Sequence, residues 1–126
     1  MLLRKVDERV FQSDFSYALA HSSEYGTIIS VAKDCKHPRA SLWIEQSDLE
    51  YIPKERYHMV YNFIVSRGDN GNVLIHCCSG ISRSVAYSIA YLVLKYGITV
   101  VEAKKRLNVF YALHPDIERS LNEVTL

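Results

Sequence analysis

One nine-residue segment holds most of the side chains in this chain that could carry out a reaction together. It runs His76-Cys77-Cys78-Ser79-Gly80-Ile81-Ser82-Arg83-Ser84. Five residues separate Cys77 from Arg83, which is enough for a tight loop that curls around one tetrahedral anion with its backbone N–H groups pointing inward. The helix expected to follow would add the N–H groups and positive dipole end of its N-terminus. The spacing therefore predicts a phosphate-binding loop over residues 78–83.

Each of the main side chains in this loop suits one part of a phosphoryl transfer. Cys77 would lie at the floor of a cradle of N–H donors, which favours the nucleophilic thiolate. Arg83 can hold two phosphate oxygens with its planar fork of donors, and the Ser84 hydroxyl can donate to the sulfur when the thiolate leaves again. Gly80 permits a positive φ and close approach of the backbone to the anion. His76 is predicted to orient the loop or to tune the cysteine.

Short strands and helices are predicted to position this loop. Apolar runs indicate strands over residues 27–31, 40–44 and 72–76. The third strand ends at His76, and an apolar helix from Ser82 to Tyr96 follows it and ends at Gly97. Other helices are expected to begin near four residues: Ser13, Pro53, Thr99 and Pro115.

Strands that alternate with helices predict an α/β domain in which helices flank a central sheet. The chain has 126 residues with no internal repeat or linker, so we expect a single domain over residues 1–126. Ligands of such sheets bind beyond the carboxyl ends of the strands. The loop after His76 falls at that place.

The charge balance argues against two classes of partner. There are 15 Lys+Arg and 14 Asp+Glu, a net charge of +1, so the broad basic surface of a nucleic-acid or membrane binder is missing. The N-terminus is charged too early for a secretory signal, and the longest apolar stretch, from Val85 to Leu94, is too short to span a bilayer. We expect a cytoplasmic protein, small enough to enter the nucleus. The sequence predicts no oligomeric state.

The cysteines predict free thiols. Three cysteines, two of them adjacent, make a poor disulfide framework and indicate a reducing compartment. Cys35 and Cys78 are therefore expected to take no part in the chemistry, and a Cys77–Cys78 or Cys77–Cys35 disulfide under oxidation is the less favoured alternative. A zinc site on His76, Cys77 and Cys78 lacks the usual ligand spacing, so no metal and no other cofactor is expected.

This segment resembles the signature loop of the cysteine-dependent protein phosphatases. Its ending, Gly80-Ile81-Ser82-Arg83-Ser84, most resembles the small dual-specificity phosphatases, and the resemblance covers about residues 10–122. It implies a mixed, mostly parallel sheet of about five strands with helices on both sides. It also implies a two-step reaction through a phosphocysteine on Cys77, in a shallow and permissive site.

That reaction requires a general acid for the leaving oxygen. Asp34 and Asp48 both follow predicted strands and could reach the loop. Asp48 lies four residues after Ile44, in the kind of loop where the family's acid stands, and is the favoured candidate, with Asp34 as the alternative. Asp69 precedes the strand that delivers Cys77, so it should lie at the opposite edge of the sheet.

The leading hypothesis is a phosphatase that acts on a phosphorylated protein, at phosphotyrosine and also at phosphoserine and phosphothreonine. The same chemistry on a phosphoinositide or an RNA 5′ end is less favoured, because the loop contributes no lysine for a polyphosphorylated group. A third hypothesis is a phosphate-binding interaction module without turnover. Cys77, Arg83 and Asp48 argue against it, since a pure binder needs no nucleophile.

Overall fold

The computed structural model describes residues 1–68 and 70–126. In chain order, the elements of this part are β1 (Leu3–Lys5), β2 (Val10–Ser13), α1 (Phe15–Ala20), a 3₁₀ turn (Ser22–Glu24), β3 (Thr27–Ser30), β4 (Leu42–Trp43), α2 (Lys54–Arg67), β5 (Val73–His76), α3 (Arg83–Tyr96), α4 (Val100–Arg106) and α5 (Pro115–Asn122).

The five strands form one sheet in the order β1-β2-β5-β3-β4. β2, β5, β3 and β4 run parallel to one another. β1, at the edge of the sheet, pairs antiparallel with β2. Every residue of β3 and β5 is buried, as expected for parallel strands covered on both faces. The fold class predicted from the sequence, a single α/β domain with a mixed and mostly parallel five-stranded sheet, is confirmed.

Helix α3 is the central helix of the domain. Its residues from Arg83 to Val93 are all buried, and it packs against α2, α4, α5 and β5. It ends where predicted, at Gly97, whose φ of +65° gives the left-handed C-cap that glycine adopts without strain. In residues 1–68 and 70–126, no single helix is long and apolar enough to cross a membrane. α3 and α4 reach that length and apolar character only when taken together, and the pair is bent by 114°.

The N-terminal elements differ from the sequence prediction. β1 and β2 are too short to be predicted as strands from their hydrophobic pattern. Their hydrogen-bonded pairing in the structure identifies them. The cap of α1 is Asp14, whose carboxylate accepts from the Tyr17 N–H at 2.8 Å, and not Ser13. Ser13 is instead the last residue of β2, opposite His76.

Candidate active site

The parallel strands bring three polar residues together at one edge of the sheet. In the register of the central strands, His76 at the end of β5 is paired with Ser13 of β2 on one side and Ser30 of β3 on the other. Cys77 follows directly, and α3 begins at Arg83. The turn between β5 and α3 therefore lies beyond the carboxyl ends of the strands, as the sequence predicted.

The carbonyl groups of this turn are bound from the outside of the loop. The Cys77 carbonyl accepts from His76 Nδ1 at 3.0 Å, and the Cys78 carbonyl accepts from the Phe15 N–H at 3.0 Å. The next two acceptors are used in the same way: the Gly80 carbonyl accepts from the Gln12 amide and the Arg4 guanidinium, both at 2.9 Å, and the Ile81 carbonyl from the Tyr111 hydroxyl at 2.7 Å.

This outward bonding determines where the N–H groups point. In a trans peptide unit the C=O and the N–H lie on opposite sides, so the N–H groups that share a peptide unit with these four carbonyls face the inside of the loop. They belong to residues 78, 79, 81 and 82. The Gly80 N–H also points inward, toward Cys77 Sγ at 3.3 Å. The loop presents a concave row of donors of the kind that binds anions.

Gly80 is required by both its conformation and its surroundings. Its φ is +76°, a region that side chains adopt only with strain. A Cβ at this position would lie 2.8 Å from the Asp14 backbone N and 3.0 Å from Asp14 Cα. The loop therefore rests directly on the corner between β2 and α1.

Cys77 lies at the centre of the loop with a free thiol. Its side chain is 1% exposed. Sγ lies 3.1 Å from Ser84 Oγ and accepts from the Gly80 N–H. The loop therefore holds a free cysteine sulfur, the nucleophilic atom of this residue type, at its centre.

His76 is fully buried beneath the loop and supports it. Because a carbonyl can only accept, Nδ1 must donate to the Cys77 carbonyl, and Nε2 then accepts from the Ser30 hydroxyl at 2.6 Å. The ring also stacks on Phe15, with centroids 5.4 Å apart. Burial lowers the pKa of His76 to about 4, so the imidazole is neutral at physiological pH. The structure places this residue against the backbone of the nucleophile.

Arg83 is held by one edge of its guanidinium. Its Nη1 donates to Asp34 at 2.7 Å and to the Gln46 carbonyl at 2.9 Å, and the side chain is only 4% exposed. Nε is buried and donates to no acceptor in residues 1–68 and 70–126. The Nε–H can therefore donate to an oxygen of a bound anion while Nη1 anchors the side chain.

The two candidate acids occupy different sides of Arg83. Asp34 accepts from Nη1, and this hydrogen bond lowers the pKa of Asp34. Asp48 lies beside Nε, with Oδ1 3.7 Å away, and its carboxylate is half exposed. Its Oδ1 accepts only the local N–H of Leu49 among the described residues. Asp48 is thus ion-paired with Arg83 without a hydrogen bond to it, whereas Asp34 is hydrogen-bonded to the guanidinium. Asp69, dismissed from the sequence, lies outside the described residues.

The prediction for the remaining cysteines was wrong. Cys35 and Cys78 form a disulfide with each other, their Cα atoms 5.5 Å apart, and Cys77 takes part in neither of the pairings considered. The reason is tertiary: the turn after β3 packs against the outer side of the phosphate loop. The bond connects the loop to the segment that carries Asp34. The ligand atoms of Asp34, Cys35 and Cys78 lie within 4.8 Å of one another, but bonded sulfurs are not thiolate ligands for a metal.

Sequence reasoning missed three residues that hold the loop from outside: Arg4, Gln12 and Tyr111. They lie on β1, on β2 and between α4 and α5, all distant from the loop in sequence. One signal was available. Gln12 follows two apolar residues in the strand Val10–Ser13, and a buried amide needs partners.

Comparison with known proteins agrees with this geometry. The family model described as "dual specificity phosphatase, catalytic domain" matches residues 12–120. The chain is 39% identical over 57 residues to protein-tyrosine-phosphatase MKP1 of Arabidopsis thaliana, which covers 45% of this chain and 7% of that protein. It is 39% identical over 46 residues to dual specificity protein phosphatase 26 of Homo sapiens, which covers 36% of this chain and 22% of that protein.

Among solved structures, the crystal structure of human DUSP28 has the same fold. The TM-score is 0.82 at 19% sequence identity, over 97% of this chain and 91% of that chain. The alignments to the two curated relatives span less than a quarter of each relative's length.

Proposed function

Because the chain belongs to the dual-specificity phosphatase catalytic-domain family, we propose that it hydrolyses phosphate monoesters on proteins through a phosphocysteine on Cys77. The observation that carries this proposal is that the loop combines three features in one place. The inward N–H groups of the loop and the Cys77 sulfur face its interior, and the buried Nε of Arg83 has no protein acceptor in the described residues.

In the first step the Cys77 thiolate attacks the phosphorus of the bound monoester. The S–P bond forms while the bond from phosphorus to the ester oxygen breaks, and Asp48 gives its proton to that oxygen. The loop N–H groups and Arg83 donate to the three equatorial oxygens, where charge accumulates. Asp48 is well placed for this step because it lies at the mouth beside Arg83 Nε.

In the second step a water molecule attacks the phosphocysteine. Asp48, now a carboxylate, takes a proton from the water, the new O–P bond forms, and the S–P bond breaks to return the Cys77 thiolate. Ser84 Oγ, 3.1 Å from the sulfur, can donate a hydrogen bond to the thiolate as it leaves. Inorganic phosphate is the product.

We propose phosphotyrosine, phosphoserine and phosphothreonine side chains as substrates. Asp34 and Asp48 stand at the rim of the loop with about half or more of their surface exposed. Such a rim repels the further phosphates of a polyphosphorylated headgroup. A monoester on a protein side chain fits this rim better than a phosphoinositide does.

The test is hydrolysis of p-nitrophenyl phosphate and of phosphotyrosine and phosphothreonine peptides. We expect turnover by the unaltered chain, and none by Cys77→Ser, which should retain a phosphopeptide that it cannot cleave. Ser88→Ala is the control, because it alters a buried side chain of α3 whose hydroxyl donates to the Ser84 carbonyl and not to the sulfur. Full activity of Cys77→Ser would refute the proposal, and phosphopeptide binding without turnover by the unaltered chain would favour an interaction module.

A further inference from the structure

Gln12 connects the second strand of the sheet to the reacting sulfur through one intermediate. Its side chain is completely buried, and it lies on β2 beside Ile75, two residues before the nucleophile. Its amide nitrogen donates to Ser84 Oγ at 2.8 Å and to the Gly80 carbonyl at 2.9 Å, and its amide oxygen accepts from Arg4 Nη1 at 2.9 Å.

Arg4 fixes the orientation of this amide. A guanidinium has only donors, so the oxygen of the Gln12 side chain must face it and the nitrogen must face Ser84. The reverse orientation would place an N–H against the guanidinium and a carbonyl oxygen against the Gly80 carbonyl. Both contacts would be repulsive.

The orientation of the amide in turn fixes the Ser84 hydroxyl. Ser84 Oγ accepts a hydrogen bond from the Gln12 amide, so its own O–H must donate to another acceptor. The two acceptors in reach are Cys77 Sγ at 3.1 Å and the Ser13 carbonyl at 3.5 Å. The sulfur is the closer of the two, and as a thiolate it is also the stronger acceptor.

We infer that Gln12 is a positioning residue for the second chemical step, acting through Ser84. It keeps the Ser84 proton directed at the sulfur, which matters most while the S–P bond breaks and negative charge returns to Cys77. In the first step the sulfur loses charge, so this hydrogen bond contributes no acceleration there. This inference rests on the proposed phosphocysteine reaction.

The experiment measures the two steps separately by rapid quench with a labelled aryl phosphate. Gln12→Met has a similar size but no donor. We expect it to slow hydrolysis of the phosphocysteine about 2- to 10-fold, the usual effect of losing one neutral hydrogen bond. Formation of the phosphocysteine, and with it kcat/KM, should stay close to that of the unaltered chain, while kcat falls and the intermediate accumulates.

A second variant covers the case in which Gln12→Met does not fold. Gln12→Glu keeps the length of the side chain and its contact with Arg4, but an ionised carboxylate accepts from Ser84 and turns the hydroxyl away from the sulfur. It should slow the same step by at least as much as Gln12→Met. Ser88→Ala, which removes a neighbouring buried hydroxyl, should change neither step.

The double variant separates positioning from a general packing defect. If Gln12 acts through the hydroxyl, Gln12→Met combined with Ser84→Ala should hydrolyse the phosphocysteine no more slowly than Ser84→Ala alone. Additive losses, or equal losses in both steps, would overturn the inference. Absence of aryl phosphate hydrolysis by the unaltered chain would instead refute the proposed function.

Discussion

The inner and outer sides of the phosphate loop are bonded in opposite ways. On the outer side, the acceptors of four peptide units meet donors from β1, β2, β5, the first residue of α1 and the segment between α4 and α5. On the inner side, donors converge on the sulfur and Arg83 Nε is without a protein acceptor in the described part of the chain. A loop whose outer side is satisfied by the protein can hold its inner donors in place before an anion arrives.

This difference predicts which substitutions should affect the reaction rate and which should affect the stability of the fold. In the proposed reaction the residues on the inner side contact the substrate, so their loss should appear in the kinetics. Residues on the outer side are buried and support the backbone, so their loss should also lower the free energy of unfolding. The following predictions test this division, beginning with the largest expected effect.

The first prediction compares the two carboxylates beside Arg83. Asp48→Ala should slow hydrolysis of alkyl phosphates about 10²- to 10⁴-fold, the usual value of a general acid. The loss should be much smaller for aryl phosphates, whose phenoxide leaves without a proton. Asp34→Ala removes a carboxylate that holds Arg83 Nη1, so it should slow the hydrolysis of alkyl and aryl phosphates to a similar degree.

Steady-state kinetics on a series of leaving groups gives the measurement. An equal loss on alkyl and aryl phosphates in Asp48→Ala, with a leaving-group dependence in Asp34→Ala, would exchange the roles of the two residues.

The second prediction concerns His76 on the outer side. Its pKa of about 4 lies below the value of about 6.5 expected in the unfolded chain. The unfolded state therefore binds more protons between these values, and the native state is destabilised as the pH falls from about 6.5 to about 4. The difference of about 2.5 corresponds to about 3 kcal/mol. Above pH 7 this contribution is fully present.

Denaturant unfolding at pH 7, 5.5 and 4 measures how much stability is lost as the pH falls. We expect a smaller loss in His76→Asn than in the unaltered chain. The neighbouring His37 is also buried with a lowered pKa, so part of the decline should remain in that variant. His21→Gln, at a partly exposed histidine, serves as the control and should retain the full decline. An identical pH dependence in His76→Asn and the unaltered chain would contradict the assignment.

The third prediction compares two glycines with positive φ. Gly97→Ala should lower the free energy of unfolding by about 1 kcal/mol, because its φ is +65°. It should cost no more than this, since a Cβ there would have no heavy atom within 4 Å. Gly80→Ala has the same strain and in addition places a Cβ against the Asp14 backbone, which should cost a further 1–3 kcal/mol or so. Chemical denaturation measures both. Equal costs would mean that the loop does not rest on this corner.

The fold was predictable where the pattern is long or strongly apolar. The sequence predicted β5, α3 and its end at Gly97, because a buried strand followed by an all-round apolar helix leaves few alternatives. It did not predict β1 and β2 from their pattern, and it assigned the cap of α1 to Ser13. Short edge elements depend on partners that are distant in the chain, and their own residues carry little periodicity.

The amino-acid sequence alone was enough to predict the type of chemistry. A cysteine and an arginine with five residues between them, one of which is a glycine, can form a loop of N–H donors after a strand, and this requires only local geometry. The tertiary structure decided what surrounds that loop. It placed Asp34 in a hydrogen bond with Arg83 and Asp48 in a longer ion pair with it, joined Cys35 to Cys78, and brought Arg4 and Gln12 against a loop about 70 residues later in the chain. These contacts follow from strand register and packing, which no local spacing specifies.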